Sequence, residues 1–242
     1  MDVREIYDAG YAPIYRDLYI DHPQWHAKHE HNVARIRELL PEPGSWLDTC
    51  CGQGWQLSRF PKVADRVGID VSPAQLERAR AANPGVHFIQ ADLGTFEFEP
   101  PRCFDLVTNF WGSYSYLDDE AAIRALVLKL VRWTAPGGSL YIELITPESL
   151  DAYNEIAFAL SSKSCTRART PDFVKWAFED PGGEHCLTSP RLEFFTALLD
   201  PWFEHVDHGS VMNTLRQLVG RGRRTTPRTT TPLPPARADG PR

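Results

Sequence analysis

The sequence has no run of about eighteen apolar residues, the length a membrane-crossing helix requires, and Met1-Asp2-Val3-Arg4-Glu5 lacks the basic and then apolar pattern of a secretory signal. No membrane partner and a cytoplasmic location are therefore expected. Cysteine is scarce: five residues, two of them adjacent at Cys50 and Cys51, form neither an even-numbered disulfide framework nor a C-x-x-C metal pair. Free thiols in a reducing compartment are the expectation. Nothing repeats at solenoid periods. Of the clustered histidines, His26 and His29 share a helix face while His31 points away, so no metal site is expected. Net positive charge is also missing, with a formal value of −6. The last 22 residues hold six arginines against one aspartate, or +5, which leaves −11 for the body. A body that acidic repels a phosphate backbone, so no nucleic-acid partner is expected.

What the sequence does contain is enough apolar content, 42% of 242 residues, to close one sizeable core. Trp25, His29, Val33, Ile36 and Leu40 recur at helical spacing and predict a helix over 24–40 that stops before Pro41-Glu42-Pro43-Gly44. Short apolar runs at 45–48, 66–70, 86–90, 104–108 and 139–144 alternate with helical segments at 55–60, 73–82 and 120–134. Strands separated by helices pair in parallel through right-handed crossovers, which predicts a doubly wound α/β sheet. After Pro147 the pattern breaks. A helix over 148–165 and a hairpin over 174–188, turning at Asp180-Pro181-Gly182-Gly183, predict an insertion that covers the site. A helix over 191–199 and two strands at 202–210 and 215–222 follow, and their short connection requires them to run antiparallel. The expected organisation is a helical lid over 1–44, a core over 45–147, a substrate cap over 148–189, a core-completing segment over 190–222, and a disordered basic tail over 223–242.

The sharpest chemical signal is the turn after the first strand, Asp48-Thr49-Cys50-Cys51-Gly52-Gln53-Gly54. Glycine there lets backbone N–H groups approach a ligand, and the next helix presents its positive end. The dinucleotide fingerprint is incomplete, because Leu57 stands where a third glycine belongs. Asp70 closes the second strand, where an acid accepts hydrogen bonds from ribose hydroxyls, and Asp92 closes the third, where a carboxylate meets an adenine amino group.

These pieces, together with Phe104-Asp105-Leu106-Val107 and Ala135-Pro136-Gly137-Gly138, resemble in order the class I S-adenosylmethionine-dependent methyltransferases. The resemblance implies a mostly parallel, seven-stranded Rossmann-like sheet with an antiparallel last strand and a cap inserted after strand 5. It implies S-adenosyl-L-methionine as cofactor and S-adenosyl-L-homocysteine as product. It also implies that Asp48, Thr49, Cys50 and Gly52 hold the methionine end, Asp70 the ribose, Val71 the adenine face, and Asp92 with Leu93 the adenine edge. Asn109 and Phe110 lie beside the methionine moiety, and Tyr11 and Tyr15, from a stripe that includes Tyr7 and Tyr19, form a lid. Cys50 departs from the pattern, which has glycine or another small residue there.

Methyl transfer needs the acceptor placed about 3 Å from the methyl carbon, water excluded and, for a weak nucleophile, a base. The segment Asn109-Phe110-Trp111-Gly112-Ser113-Tyr114 resembles the aromatic and serine loop of small-molecule methyltransferases, sugar N-methyltransferases included, and lacks an Asn-Pro-Pro-Tyr motif. The expected acceptor is a small molecule of secondary metabolism, methylated on O, N or C. Candidate catalytic residues are His29 and Glu143 as bases, with Trp111 and Tyr114 as walls. The oligomeric state is open between monomer and homodimer. Two other readings compete. An NAD(P)-dependent oxidoreductase is disfavoured by Leu57 and by the lack of a Ser/Tyr/Lys catalytic set; a cofactor-binding protein with a cyclising or regulatory role is the third.

Overall fold

The computed structural model describes residues 6–157, 162–212 and 214–228. The chain opens with a short helix α1 (Tyr11–Tyr15) that widens over Arg16–Ile20, followed by α2 (His26–Leu39). The core then alternates β1 (Ser45–Thr49), α3 (Trp55–Ser58), β2 (Asp65–Asp70), α4 (Pro73–Ala82), β3 (His87–Gln90), β4 (Phe104–Asn109), α5 (Glu120–Trp133) and β5 (Thr134–Leu144). After α6 (Leu150–Ala157) come β6 (Cys165–Arg169), β7 (Phe173–Asp180) and β8 (Gly183–Pro190). The described chain closes with α7 (Leu192–Leu199), β9 (Phe203–Met212) and β10 (Leu215–Arg223).

Seven strands form one sheet in the order β3-β2-β1-β4-β5-β10-β9, with the first five parallel and β10 antiparallel to both neighbours. The fold is the expected doubly wound α/β sheet. Its strands read as continuous apolar runs because both faces are covered. Alternate residues serve opposite faces, so Leu47, Val107 and Ile142 pack with α5 and α7, while Trp46, Leu106 and Tyr141 pack with α2 and α4. Local chemistry sets the helix starts. Ser72 Oγ accepts from the Gln75 N–H at 3.1 Å with Pro73 at the first helical position, and Asp119 Oδ1 accepts from the Ala122 N–H at 2.8 Å.

The strand order reverses on either side of β1. Thr49 is level with both Ile69 and Asn109, so the chain leaves the C-terminal ends of β1, β2 and β4 together and opens a crevice there. Over that crevice stands a second antiparallel sheet, β6-β7-β8, whose apolar face of Val174, Trp176, Phe178 and Leu187 packs with Ile145, Leu150 and Leu215.

Two expectations need correction. The helix anticipated over 148–165 ends at Ala157 within the described residues, 158–161 lie outside them, and Cys165 already belongs to β6. All five residues of β6 are exposed, so no burial alternation marks that strand in the sequence. The first residues of the segment anticipated as a disordered basic tail over 223–242 belong to the fold. Arg223 pairs with Phe203 in the sheet, and the Arg224 and Arg228 N–H groups donate to the Trp202 and Pro201 carbonyls. Residues 229–242 lie outside the description.

Candidate active site

The loop after β1 is a run of left-handed turns. Cys50, Gly52 and Gly54 have φ of 56°, 52° and 68°. Glycine adopts such angles freely, whereas a side chain at Cys50 costs of order 1–3 kcal/mol that the surroundings must offset. They do so through hydrogen bonds. The Cys51 N–H donates to the Ile69 carbonyl at 3.0 Å, and the Gly52 N–H donates to Asp70 Oδ2 at 2.8 Å. The Ser72 N–H takes Asp70 Oδ1 at 2.9 Å, so one carboxylate fixes both the β1 loop and the β2 turn. The Val71 N–H also bonds this carboxylate, and with about four lone-pair sites it retains capacity for a ligand hydroxyl. Burial pushes the Asp70 carboxyl above its usual range, and the backbone N–H groups oppose that.

Beneath the loop the polar groups are spent on the fold. Asp48 Oδ1 accepts from Thr108 Oγ1 at 2.7 Å, and its enclosure pushes the carboxyl up to about 7. Thr49 Oγ1 donates to the Thr108 carbonyl at 2.7 Å and accepts from Asn109 Nδ2 at 3.0 Å.

Above the loop lies a cavity of about 620 Å³. Its sheet side is lined by Cys50, Gly52, Asp70, Val71, Asp92 and Leu93, with Tyr15 from the lid. Gln75 also lines it, almost fully buried, and neither its Oε1 nor its Nε2 has a protein partner. A buried amide left that way calls for a polar ligand or water. The opposite walls are aromatic: Trp25 and Trp111, Tyr7, Tyr19 and Tyr116, and Tyr153 with Phe178 from the insertion.

The tyrosine stripe forms a lid whose rings contact in series, with centroids 5.5 Å apart for Tyr7 and Tyr11, 6.3 Å for Tyr11 and Tyr15, and 5.2 Å for Tyr15 and Tyr19. Gln53 Nε2 donates to the Ala12 carbonyl at 2.7 Å and Ser72 Oγ to the Tyr7 carbonyl at 2.5 Å, which pins the lid to the loop. The Tyr11 and Tyr19 hydroxyls both donate to Asp180 Oδ2 at the tip of β7, Tyr19 at 2.9 Å. Gly182 completes this contact, because a Cβ there would lie 2.9 Å from the Tyr11 ring.

Behind the aromatic wall is a buried ion pair. Lys28 Nζ lies 3.0 Å from Glu143 Oε2, both side chains fully enclosed, and 3.6 Å from the centroid of the Trp111 ring. Glu143 also accepts from Asn32 Nδ2 at 2.7 Å and from the Trp111 N–H at 2.6 Å. Trp111 needs that anchor, since its φ is 61°. The two non-glycine residues with positive φ among those described, Cys50 and Trp111, both line the cavity.

Of the sequence-derived candidates, Tyr15, Cys50, Gly52, Asp70, Val71, Asp92, Leu93 and Trp111 reach the cavity. Tyr11, Asp48, Thr49, Asn109 and Phe110 are buried around it without lining it. His29, Glu143 and Tyr114 do not line it either. His29 Nε2 donates to the Tyr19 carbonyl at 3.0 Å, and burial together with the Lys28 ammonium holds its imidazole down to about 4. Glu143 is enclosed by Lys28, Asn32 and the Trp111 N–H, while the Tyr114 hydroxyl donates to the Ile145 carbonyl at 3.1 Å. Sequence reasoning missed Lys28, Gln75, Asp180 and His185. Lys28 sits next to His29 at the buried edge of α2, where an amphipathic pattern places no charge, and only the fold of the insertion brings Asp180 and His185 to the lid.

Comparison with known proteins places the fold among solved structures. Residues 47–138 match the methyltransferase domain family. Among curated relatives, a dTDP-4-amino-2,3,4,6-tetradeoxy-D-glucose N,N-dimethyltransferase of Saccharopolyspora spinosa is 32% identical over 143 residues, 59% of this chain and 54% of the relative. A trans-aconitate 2-methyltransferase of Acidovorax sp. is 33% identical over 140 residues, 56% of this chain and 50% of the relative. The chain thus spans about half the length of the curated relatives it matches. Among solved structures, DesVI of Streptomyces venezuelae superposes with a TM-score of 0.65 at 22% identity, covering 87% of this chain and 98% of that one. The amino pentose methyltransferase CalS10 of Micromonospora echinaspora, solved with S-adenosylmethionine bound, gives 0.61 at 22% identity, covering 88% and 96%. The fold is that of the class I S-adenosylmethionine-dependent methyltransferases, and its central part, residues 47–138, is similar to a methyltransferase domain.

Proposed function

We propose that the protein is an S-adenosylmethionine-dependent methyltransferase whose acceptor is an amine-bearing small molecule. The observation that carries this reading is the single cavity joining the strained β1 loop and the Asp70 clamp to an aromatic chamber under lid and cap. The chain fits the cofactor in its chemistry. Asp70 retains acceptor capacity for a hydroxyl, the Gln75 amide has donors and an acceptor to satisfy, and Val71 and Leu93 offer apolar faces. When bound, S-adenosylmethionine supplies an electrophilic methyl carbon on a sulfonium. The protein's part is to bind, orient and keep out water, which the lid and cap do by enclosing the chamber.

The preference for an amine rests on charge. Among the described lining residues the charged ones are Asp70, Asp92 and Asp118, with no lysine, arginine or histidine. Asp70 and Asp92 stand at the cofactor positions, so it is the aromatic faces with Asp118 that favour an ammonium group, whereas a tricarboxylate such as trans-aconitate meets no counter-ion there.

Two measurements test the reading. Calorimetric titration with S-adenosylhomocysteine checks the cofactor half, and tighter binding of NADH would overturn it. Transfer of labelled methyl from S-adenosylmethionine is then followed with a free 4-amino-4,6-dideoxyhexose, its dTDP conjugate and trans-aconitate. Methylation of an amine probe is expected; methylation of trans-aconitate alone would reject the amine.

A further inference from the structure

A hydrogen-bonded chain runs from the cavity wall into the insertion and ends on a carboxylate. Tyr116, whose side chain lines the cavity, lies 2.6 Å from His185 Nδ1, and His185 Nε2 lies 2.8 Å from Asp180 Oδ1. The Tyr7 hydroxyl lies 3.0 Å from that of Tyr116. The His185 side chain is fully enclosed, with its ring stacked on Phe178 at 4.4 Å and 4°. The titratable groups that face it are Tyr7, Tyr116 and Asp180, with Tyr11 and Tyr19 beyond on Asp180.

Direction follows from the partners. Asp180 is an acceptor, so His185 Nε2 carries the proton, and Nδ1 is left to accept from the Tyr116 hydroxyl. With Tyr7 donating to it, the Tyr116 oxygen keeps one lone pair for a proton arriving from the cavity. Burial alone would push the Asp180 carboxyl up; hydrogen bonds from His185, Tyr11 and the Gly182 N–H outweigh it and hold the group below its usual range.

We propose that Tyr116, His185 and Asp180 are the proton acceptor for the methyl acceptor, an inference that rests on the amine-methyltransferase reading. A proton on the bound ammonium passes to Tyr116 Oη as the Tyr116 proton passes to His185 Nδ1, and Asp180 holds the resulting imidazolium. The freed nitrogen lone pair bonds the methyl carbon as its bond to sulfur breaks, and that bond's electron pair stays on sulfur. Tyr116 is the catalytic residue of the three, and His185 and Asp180 act through it. Proton transfer by a positioned group contributes about 10²–10⁴-fold.

The test is His185→Gln, whose amide can still donate to Asp180 and accept from Tyr116 but cannot take up the proton. With the full chain and the free 4-amino-4,6-dideoxyhexose, affinity for S-adenosylhomocysteine should stay within about twofold. The value of kcat/KM should fall about 100-fold or more at pH 7. The deficit should then shrink as pH rises toward 9, because the amine begins to arrive already deprotonated. A deficit that stays constant with pH, or none at all, would overturn the relay. Should the variant lose S-adenosylhomocysteine binding through misfolding, imidazole nitrogen NMR of the unaltered protein decides. A neutral His185 protonated on Nε2 is expected, and protonation on Nδ1 alone rejects the proposal.

Discussion

At the scale of single residues, Asp70 unites two tasks. It ties the Gly52 and Ser72 N–H groups together and faces the cavity, so its loss should loosen the loop and remove a ligand acceptor at once. Charged hydrogen bonds of this kind contribute about 1.5–3 kcal/mol, and Asp70→Ala should weaken S-adenosylhomocysteine binding by about 10- to 150-fold in calorimetry. Unchanged affinity would remove Asp70 from the site. Cys50 shows why a departure from a motif is tolerable. Its φ of 56° is glycine-like, yet the neighbouring bonds of Cys51 and Gly52 hold it there and its thiol becomes part of the cavity wall.

At the scale of elements, α2, β5 and the loop after β4 meet at the Lys28 and Glu143 pair. Removing one partner of an enclosed pair strands the other charge, which costs about 3–5 kcal/mol. Lys28→Met should therefore lower stability to urea by about that amount, and Lys28→Met combined with Glu143→Gln should recover most of it. A single variant as stable as the parent would show that Glu143 does not need the ammonium. The Rossmann-like strands were legible because burial on both faces leaves apolar runs of strand length between capped helices. The acid-bearing strand ends were legible because they follow directly from those runs. The aromatic wall opposite them was not. The hairpin of β7 and β8 was legible from its turn, but its placement was not: Tyr153 from α6 and Phe178 from β7 reach the wall only because this layer packs on Ile145, Leu150 and Leu215, contacts that no local pattern records. Lys28 and Asn32 escaped because their partner, Glu143, lies more than a hundred positions away.

At the scale of the whole molecule, two enclosed groups give stability opposing slopes with pH. The Asp48 carboxyl rises from 3.8 to about 7, so the folded state binds its proton more tightly and stability is lost as pH climbs from about 4 to about 7. The His29 imidazole falls from 6.5 to about 4, so its contribution is lost as pH drops through that interval. Asp48→Asn removes the first slope. Its stability relative to the parent should rise between pH 4 and pH 7, by at most about 4 kcal/mol, and level off above. Urea midpoints at pH 4.5, 6 and 8 read this directly, and a constant difference would contradict it. No helix among the described residues is long and apolar enough to cross a membrane.

Asp180 has a mechanical consequence. It receives Tyr11 and Tyr19 from the N-terminal segment and His185 from its own hairpin, so the two halves of the roof are bolted at one point. Neither half can swing aside while the bolt holds. Opening the roof on that side therefore requires one carboxylate to release both tyrosines at once.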